Sequence, residues 1–253
     1  MVTTIAISNQ KGGVAKTTTT QSLGACLAEL GKSVLLIDLD PQAHLTLSMG
    51  IRPEKLHRTI SDALLANTSL VSVSRESPVF DLDIIPANQE LALIEKLLYG
   101  RNGYEYHLKQ GLSVMGEKFY DIVLIDCPPS FGTLTLNALT AAQLLIVPVQ
   151  CEYYAAYALN QIIGLAKMVK EKTNPHLTYR VLATMYDRRN RICRLILEQM
   201  RREMGQMLFE TVIEVDTKLR ESPAFGKPIT LYAPNTRGAQ QYRALAKELV
   251  NHG

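Results

Sequence analysis

The chain has 253 residues and an apolar fraction of 47%, which suits a globular protein with a substantial buried core. Its formal net charge of +3 is too small to indicate a partner by itself. No apolar stretch is long enough to span a bilayer, and the sequence opens on a strand rather than on a charged leader, so we expect neither a membrane span nor secretion.

Apolar runs of strand type alternate with segments of helical periodicity along the chain. The strand runs are Thr4–Ser8, Val34–Asp38, Leu82–Pro86, Asp121–Asp126, Leu144–Val149, Tyr179–Met185 and Phe209–Ile213. The helical segments are Lys16–Leu30, Ala87–Tyr99, Tyr104–Met115, Leu134–Ala142, Ala155–Glu171, Arg191–Met204 and Gly238–Val250. Several strand runs are nearly continuous Val, Ile and Leu, which is typical of parallel strands buried on both faces. The alternation predicts a doubly wound α/β fold, with a mostly parallel sheet and helices on both faces.

One stretch interrupts this alternation. Arg52–Pro78 is more polar and irregular, and we expect it to form a surface insertion. The sequence contains no repeat, low-complexity segment or interdomain linker, so we predict a single domain over residues 1–253.

A glycine-bearing loop follows the first strand and opens the first helix: Lys11-Gly12-Gly13-Val14-Ala15-Lys16-Thr17-Thr18. Its adjacent glycines let the backbone turn tightly and point N–H groups at an anion, and the helix adds its positive dipole end. Lys16 can reach the terminal phosphates of a nucleotide, and the Thr17 hydroxyl can bind a magnesium ion that bridges them. The context of strand, loop and helix predicts the phosphate-binding loop of a P-loop NTPase.

Two further strands end in carboxylates, at the edge of a parallel sheet where ligands bind. Asp126 follows four hydrophobic residues in the manner of a Walker B strand, and it can hold magnesium directly or through water. Asp40 follows the second strand and is our candidate for orienting the attacking water, and we also count it among the metal ligands. A carboxylate near the γ-phosphate adds negative charge, so we expect slow hydrolysis. We expect Asp38 to support the metal shell.

The loop resembles the deviant Walker A box of the ParA/MinD ATPases, because its glycines stand at positions 12 and 13 and a second lysine, Lys11, precedes them. Asp40-Pro41-Gln42 and Asp126-Cys127-Pro128-Pro129-Ser130 resemble the two switch segments of the ParA group. The segments Pro148–Ala155 and Gly226–Ile229 are also similar to chromosomal ParA proteins, often called Soj. The resemblance covers nearly the whole chain.

The resemblance implies a slow, partner-stimulated ATP hydrolase that uses ATP and Mg²⁺ and forms a homodimer when ATP is bound. Such a dimer binds nucleoid DNA in the cytoplasm without sequence preference. A ParB-type centromere-binding protein would trigger hydrolysis, and the cycle would drive chromosome or plasmid partition. An alternative stays open here, in which a cargo adaptor replaces the ParB-type partner and the ATPase positions a protein cargo such as a carboxysome.

The resemblance also implies roles for matching positions. Lys11 would act in trans on the partner's nucleotide, with chemistry like that of an arginine finger. Lys16 would bind the β- and γ-phosphates, and Thr18 would contact the α-phosphate. The adenine would lie near Met185 and Val215. Backbone N–H groups would come from Gly12, Gly13, Val14 and Ala15.

Ala15 is a departure from the family, which normally has glycine immediately before the second lysine. If the position needs a positive φ, the Cβ costs about a kcal/mol or more. If φ is negative, the methyl group merely crowds the phosphates. We expect Ala15 to weaken nucleotide binding or slow turnover without abolishing either.

Basic residues are concentrated between Arg180 and Arg202, where the chain carries seven arginines and only two acidic residues. The predicted helix Arg191–Met204 has its arginines largely opposite an apolar stripe of Ile192, Leu195, Ile196 and Met200. Such a face can neutralise DNA phosphates, or it can be merely solvated, with Glu198 paired to neighbouring arginines. The resemblance favours DNA binding and implies four contact residues: Arg189, Lys218, Lys227 and Lys247.

Two rival functions require features of their own. A MinD-like membrane-cycling ATPase needs an amphipathic terminal helix, whereas the last helix fits core packing better through Tyr242, Leu245, Ala246 and Leu249. A reductase of the nitrogenase iron-protein type needs cysteine ligands near a dimer face. Cys127 and Cys151 are conceivable ligands, but they lack that family's motif surroundings. The four cysteines are far apart and form no CxxC pair, which predicts reduced cytosolic thiols.

Overall fold

The computed structural model describes residues 2–65, 68–115, 119–152 and 155–251, and its centre is a seven-stranded sheet. The strands are β1 (Thr3–Ile7), β2 (Val34–Asp38), β3 (Arg75–Glu76), β4 (Leu82–Ile85), β5 (Ile122–Asp126), β6 (Leu144–Gln150) and β7 (Thr178–Thr184). Their order in the sheet is β3-β4-β2-β5-β1-β6-β7, with β3 antiparallel to β4 and all other neighbours parallel. Residues 153 and 154 of the ParA-like segment Pro148–Ala155 lie outside the described residues.

Helices follow most of the strands. They are α1 (Lys16–Glu29), α2 (His44–Ser48), α3 (Ile60–Leu65), α4 (Leu70–Val73), α5 (Leu91–Leu98), α6 (His107–Met115), α7 (Thr133–Ala141), α8 (Ala155–Lys172), α9 (Arg191–Met204), α10 (Thr217–Glu221), α11 (Ile229–Tyr232) and α12 (Arg237–Asn251). Short 3₁₀ helices occur at Pro53–Lys55, Tyr104–Tyr106, Gly205–Met207 and Ser222–Phe225.

The sheet is covered on both faces, because successive residues of each buried strand point to opposite sides. Leu35 and Ile37 of β2 join one apolar core with helices that include α5, α7, α8 and α9. Val34 and Leu36 join a second core, which α1 and α12 cover. The predicted doubly wound α/β fold with a mostly parallel sheet is therefore confirmed.

The end of α1 is a Schellman motif. Gly31 has a φ of +76°, its N–H donates to the Ala28 carbonyl (2.9 Å), and the Lys32 N–H donates to the Leu27 carbonyl (3.2 Å). A residue with a side chain would be strained at this φ, so the glycine ends the helix where the sequence predicts it.

The predicted strand Phe209–Ile213 is wrong. Among the described residues, this segment runs beside β7 and is joined to it at its two ends, where the Phe209 N–H bonds Val181 and the Ile213 N–H bonds Ala183, both at 2.9 Å. Two N–H groups between those ends donate to the Glu248 carboxylate, at 2.9 and 3.0 Å. A side chain thus takes the place of a continuous strand partner.

The expectation that Arg52–Pro78 forms a surface insertion is also wrong. The segment contains α3, α4 and β3, and Ile60, Leu64, Leu70 and Val73 are at most 2% exposed. These four residues belong to the core on the α5 side of the sheet. Their spacing of four and three residues places each pair on one side of a short helix, a signal that the surrounding polar residues obscure.

Candidate functional site

A cavity of about 1020 Å³ opens beyond the carboxyl ends of the parallel strands. Its walls come from the loop after β1, the segment after β2 and the segments that follow β7, which is where an open α/β sheet binds ligands. The cavity wall includes most of the residues that the sequence assigns to a nucleotide, namely Gly12, Gly13, Ala15, Lys16, Thr17, Thr18, Asp40, Met185 and Val215.

The loop backbone turns sharply at two residues with positive φ. Gly13 has a φ of +75°, and Ala15, the N-cap of α1, has a φ of +67° and a ψ of 32°. Glycine adopts the left-handed region freely, whereas a Cβ there costs roughly 1 kcal/mol. Of the two possibilities that the sequence leaves open for Ala15, the structure therefore has the strained one.

Side-chain hydrogen bonds fasten the loop to the neighbouring strands. Asn9 accepts a bond from the Lys11 N–H (3.0 Å) through its Oδ1 and donates through its Nδ2 to the Pro148 carbonyl of β6 (2.8 Å). The buried Val14 offers its carbonyl to the Thr184 hydroxyl at the end of β7 (3.1 Å). The loop is consequently held in place before any anion binds.

Two hydroxyls of α1 converge on the carboxylate that ends β5. Thr17 Oγ1 donates to Asp126 Oδ2 (2.7 Å), and Thr20 Oγ1 lies 3.3 Å from Asp126 Oδ1. The Lys16 ammonium donates to the Lys11 carbonyl (3.2 Å), and its side chain is 8% exposed. The arrangement brings together the predicted phosphate-binding lysine, the predicted metal-binding hydroxyl and the Walker B carboxylate.

Burial controls the charges in this part of the site. Burial, followed by the nearby Asp38 charge, raises the pKa of Asp126 to about 8, although the Thr17 hydrogen bond and Lys16 oppose the shift. Burial also lowers the pKa of Lys16, against the attraction of Asp126. A fully buried carboxylate with so high a pKa has less positive charge around it than its ionisation requires, even with Lys16 nearby, and a divalent cation would add to that charge.

The residues present fit a magnesium ion. Magnesium binds proteins through one or two carboxylates and substrate phosphates while it keeps several waters. Thr17 and Asp126 offer a hydroxyl and a carboxylate within hydrogen-bond distance of each other, and Asp40 lies on the wall of the same cavity. Among the described residues, no group of three His, Cys, Asp or Glu side chains could hold a metal alone, so the nucleotide phosphates would complete the set.

Asp38 holds the loop that carries Asp40. Its carboxylate accepts bonds from the Asp40 N–H (3.1 Å) and from both the N–H and the hydroxyl of Thr46 (2.8 and 2.7 Å). Asp38 is fully buried, and burial raises its pKa to about 6 while these bonds oppose the shift. Asp38 thus contacts the backbone of the loop that carries Asp40, and its support of a metal shell stays a prediction.

The predicted adenine residues lie on two adjacent segments. Met185 follows β7 with a φ of +50°, and the next residue, Tyr186, accepts at its carbonyl the N–H of Val215 (3.1 Å). A non-glycine residue in this conformation is strained, and such strain is common at ligand sites. Both Met185 and Val215 face the cavity, as a base-binding role requires.

Lys11, like the buried Val14, is not among the loop residues that line the cavity, but unlike Val14 its side chain reaches solvent. Its ammonium forms an ion pair with Glu152, which follows β6, and the two side chains are 36% and 35% exposed. A lysine on the outside of the cavity is compatible with action on a second protomer.

The four predicted DNA-binding residues are exposed but are not all free. Arg189 donates to the Asp187 carboxylate through two nitrogens, each at 3.0 Å, and Lys218 donates to Glu221 at 2.7 Å. Lys227 is exposed after Gly226, and Lys247 is exposed on α12. Arg189 also lines a second cavity of about 230 Å³.

The predicted apolar stripe of α9 is only partly correct. Ile192 and Leu195 are 52% and 49% exposed, and Ile196 is half-buried. The buried residues of this helix are Cys193, Leu197, Met200 and Met204. The core-facing side is therefore displaced by one residue from the predicted one, and the outer side mixes Ile192 and Leu195 with exposed arginines. Arg194 bonds the Arg188 carbonyl (2.7 Å) instead of Glu198.

The residues on which the two rival functions depend are largely buried. Cys127 and Cys151 are 1% exposed and belong to the core, so they are not at a surface that a second chain could reach. The inner side of α12 packs into the core, as predicted. It does so against α1, where the Tyr242 and Thr19 hydroxyl oxygens are 3.0 Å apart. Among the described residues, every helix is too short or too polar to cross a bilayer.

Sequence reasoning missed four polar residues that shape the site. Thr20 carried a usable signal, because it follows Thr17 by three residues on one side of a helix. The other three are recognisable only from contacts with residues distant in the chain: Asn9, Thr46 and Glu152.

The fold and the site together define a P-loop nucleotide-binding protein with two lysines in its loop. The sequence pattern of a family described as AAA domain matches residues 2–179. The sporulation initiation inhibitor protein Soj of Bacillus subtilis is 42% identical over 250 residues, which are 98% of this chain and 98% of that protein. The chromosome partitioning protein ParA of Myxococcus xanthus is 39% identical over 97% of this chain and 87% of its own length.

A solved structure is also similar over the full length. The cobyrinic acid a,c-diamide synthase from Mycobacterium smegmatis, with a bound ATP analog and magnesium, has a TM-score of 0.87 and 37% identity, and the match covers 100% of this chain and 96% of that one. The chain belongs to the ParA/Soj family of ATPases.

Proposed function

We propose that this chain is an ATP-driven partition protein. As a member of the ParA/Soj family it is an ATP hydrolase of chromosome or plasmid partition, with ATP and Mg²⁺ as cofactors. The observation that carries the proposal is the Thr17–Asp126 hydrogen bond beside the buried Lys16, on the cavity that Asp40 also lines.

The proposed chemistry is mainly positioning and neutralisation of charge, which is what phosphoryl transfer requires. Backbone N–H groups of residues 12–15 bind the phosphates, and Lys16 neutralises charge at the β- and γ-positions. Thr17, Asp126 and Asp40 would hold Mg²⁺, which would supply positive charge to neutralise the phosphate oxygens. Asp40 orients the attacking water by accepting a hydrogen bond from it, and Asp38 fixes the Asp40 backbone.

The position of Lys11 supports dimerisation. The ammonium lies outside its own cavity, so in the proposed ATP-bound homodimer it reaches the nucleotide of the other protomer. A cation supplied in trans at the transferring phosphoryl group accelerates hydrolysis, as an arginine finger does.

The exposed basic residues support non-specific DNA binding. Four predicted contact residues are exposed: Arg189, Lys218, Lys227 and Lys247. The helix α9 carries further arginines, which are also positively charged. Contacts to phosphates carry no sequence information, and their strength falls with salt. Two such surfaces in one dimer bind together, so affinity rises steeply when ATP joins the protomers.

The proposals on domain organisation, cellular location and protein partner rest on the resemblance to named members of the family. We propose that residues 1–253 act as one domain in the cytoplasm, on the nucleoid, and that a ParB-type protein triggers hydrolysis. A protein named for partition and a synthase named for another reaction are both similar to this chain over nearly its whole length, so the partner has to be identified by binding rather than from the cavity.

A light-scattering experiment tests the proposal. The Asp40→Ala variant, which keeps Thr17 and Asp126 and in which we expect turnover to be blocked, is loaded with ATP and Mg²⁺. Its mass is compared with that of the same variant in ADP. We expect a dimer in ATP that is retained on random-sequence DNA at low salt, and a protomer in ADP that is not. The Lys16→Ala variant is the control that lacks phosphate binding. A protomer in saturating ATP contradicts the proposal.

A further inference from the structure

Two glycines from distant parts of the chain touch through their backbones. Gly50 follows α2, and Gly226 follows the 3₁₀ helix Ser222–Phe225. A Cβ on Gly226 would lie 2.6 Å from the Gly50 Cα and 3.0 Å from its N, and a Cβ on Gly50 would lie 3.3 Å from the Gly226 carbonyl oxygen. The first distances are too short for any side chain, so this contact requires glycine.

Each glycine also ends its own helix. Gly50 has a φ of +78° and donates its N–H to the Leu47 carbonyl (2.9 Å). Gly226 has a φ of +62° and donates its N–H to the Pro223 carbonyl (3.0 Å). Two helix ends are therefore packed directly against each other, and a displacement of one is passed to the other without an intervening flexible side chain.

One side of the contact is attached to the phosphate end of the cavity. The helix α2 begins four residues after Asp40, and its Thr46 bonds Asp38, which holds the Asp40 N–H. The Ser48 carbonyl near the end of α2 accepts a bond from Gln21 Nε2 of α1 at 2.5 Å. The Asp40 loop, α2 and the phosphate helix are thus joined by hydrogen bonds among buried groups.

The other side of the contact is attached to basic residues. The helix α10, which carries Lys218, continues directly into Ser222–Phe225, and Lys227 follows Gly226. The Lys218 partner Glu221 also accepts the Tyr232 hydroxyl (2.8 Å), and the Tyr232 ring stacks on Phe225 with centroids 4.9 Å apart. These contacts hold the segment together.

We infer that the Gly50–Gly226 contact links the phosphate end of the nucleotide cavity to the basic segment that runs from Lys218 to Lys227. The position of the Asp40 loop, which the nucleotide sets, then determines how Lys218 and Lys227 are presented to a polyanion. Both glycines are positioning residues, and neither is among the residues that line the nucleotide cavity. The inference rests on the proposed function, since it takes DNA as the polyanion.

A series of three alanine variants tests the link: Gly226→Ala, Gly50→Ala and Gly205→Ala. Gly205 is the matched control, because it has a φ of +51° but a Cβ there would meet nothing within 4 Å. All three variants incur the strain of a positive φ, and only the first two disturb the contact. The readout is the ratio of random-sequence DNA affinity in ATP to that in ADP, together with the affinity for a fluorescent ATP.

We expect the ATP-to-ADP ratio of DNA affinities to fall about tenfold in Gly226→Ala, which is within the usual range of coupling between sites. Gly50→Ala should show a smaller fall, because its contact of 3.3 Å needs only a small adjustment, and Gly205→Ala should keep the wild-type ratio. Fluorescent ATP should bind all three variants and the wild type with comparable affinity.

Three results overturn the link. In the first, the ATP-to-ADP ratio of DNA affinities in Gly226→Ala and Gly50→Ala would equal that in Gly205→Ala. In the second, these two variants would lose ATP affinity in step with DNA affinity. In the third, neither of them would fold. If Gly226→Ala alone is unfolded, the milder Gly50→Ala decides. A different result would be a wild-type protein that binds DNA equally well in ATP and in ADP. DNA binding would then not depend on the nucleotide, and this result would refute the proposed function rather than the link alone.

Discussion

Lys11 and Glu152 form an ion pair within one protomer. The lysine that we propose to act on a second protomer's nucleotide is thus held by a carboxylate of its own chain. Both side chains are about one-third exposed, so the pair is partly screened by water and contributes little to stability. Dimerisation on the proposed model has to exchange this carboxylate for a phosphate.

Removing the competing carboxylate should favour dimerisation. We expect Glu152→Gln to strengthen ATP-dependent dimerisation up to about fivefold, since a partly exposed pair is worth at most about 1 kcal/mol. Sedimentation in ATP and Mg²⁺, with turnover blocked by Asp40→Ala, measures it. Glu171→Gln, an equal change of charge on the exposed side of α8, is the control. A weaker dimer would mean instead that Glu152 itself contributes to the interface.

Ala15 should be improved by glycine. Because its φ is +67°, Ala15→Gly relieves left-handed strain, and we expect the free energy of unfolding to rise by about 1 kcal/mol. ATP affinity or turnover should rise as well, because this residue lines the cavity. The measurements are denaturant unfolding, ATP titration and steady-state turnover.

Asp81→Gly is the matched control for the Ala15 variant. Asp81 has a φ of +58° and is not among the residues of the nucleotide cavity. It should gain stability without any change in ATP affinity or turnover. Equal ATP affinity and equal turnover in Ala15→Gly and the wild type would contradict the expectation.

Binding of magnesium and ATP should release protons at neutral pH. The pKa of Asp126 in the folded, unliganded chain is raised to about 8 from an ordinary value of 3.8, so the protonated form is favoured there. The contribution of this group to stability is present at low pH and is lost as the pH rises through about 8. A cation requires the ionised form and therefore displaces the proton.

Calorimetry at pH 7 in two buffers of different ionisation enthalpy measures this release. We expect the heats of magnesium–ATP binding to differ between the buffers for the wild type and for Thr20→Val, which keeps the carboxylate. The difference should disappear in Asp126→Asn. Identical heats for the wild type in both buffers are incompatible with a protonated Asp126.

Arg189 and Asp187 should have opposite effects on DNA binding. Because Asp187 occupies two nitrogens of Arg189, we expect Asp187→Asn to strengthen binding and Arg189→Ala to weaken it for all sequences alike. Loss of one phosphate contact should reduce the slope of log affinity against log salt by about 0.9. Filter binding over a salt series measures both effects.

Arg75→Ala removes the same charge from β3, at the opposite edge of the sheet, and serves as the control for Arg189→Ala. It should bind DNA like the wild type. ATP-dependent dimerisation should be intact in all three variants. A loss of dimerisation in Arg189→Ala would assign this arginine to the protomer interface instead.

The central sheet and the phosphate loop could be predicted because their signals are local. Buried parallel strands are apolar runs, and the loop concentrates Lys16 and Thr17 in one short segment at the start of a helix. The position of Asp126 followed from the rule that strand ends meet at one edge of the sheet. Each of these inferences needs no knowledge of distant contacts.

The errors have the opposite origin. Phe209–Ile213 has strand-like residues, but its middle N–H groups bond the Glu248 carboxylate, which comes from α12. Arg52–Pro78 looks polar because its few apolar core residues are separated along the sequence by polar ones. The pairing of Lys11 with Glu152 depends on the spatial order of β1 and β6, which composition and spacing do not reveal.

The hydroxyl contact between Tyr242 and Thr19 makes the final helix part of the floor beneath the nucleotide loop. A genetic screen for partition defects should therefore recover changes near the C-terminal end of the described chain that touch neither DNA nor a partner. Such mutants would bind ATP weakly, as mutants of the phosphate loop would. Second mutations that restore partition in them would arise in the first helix.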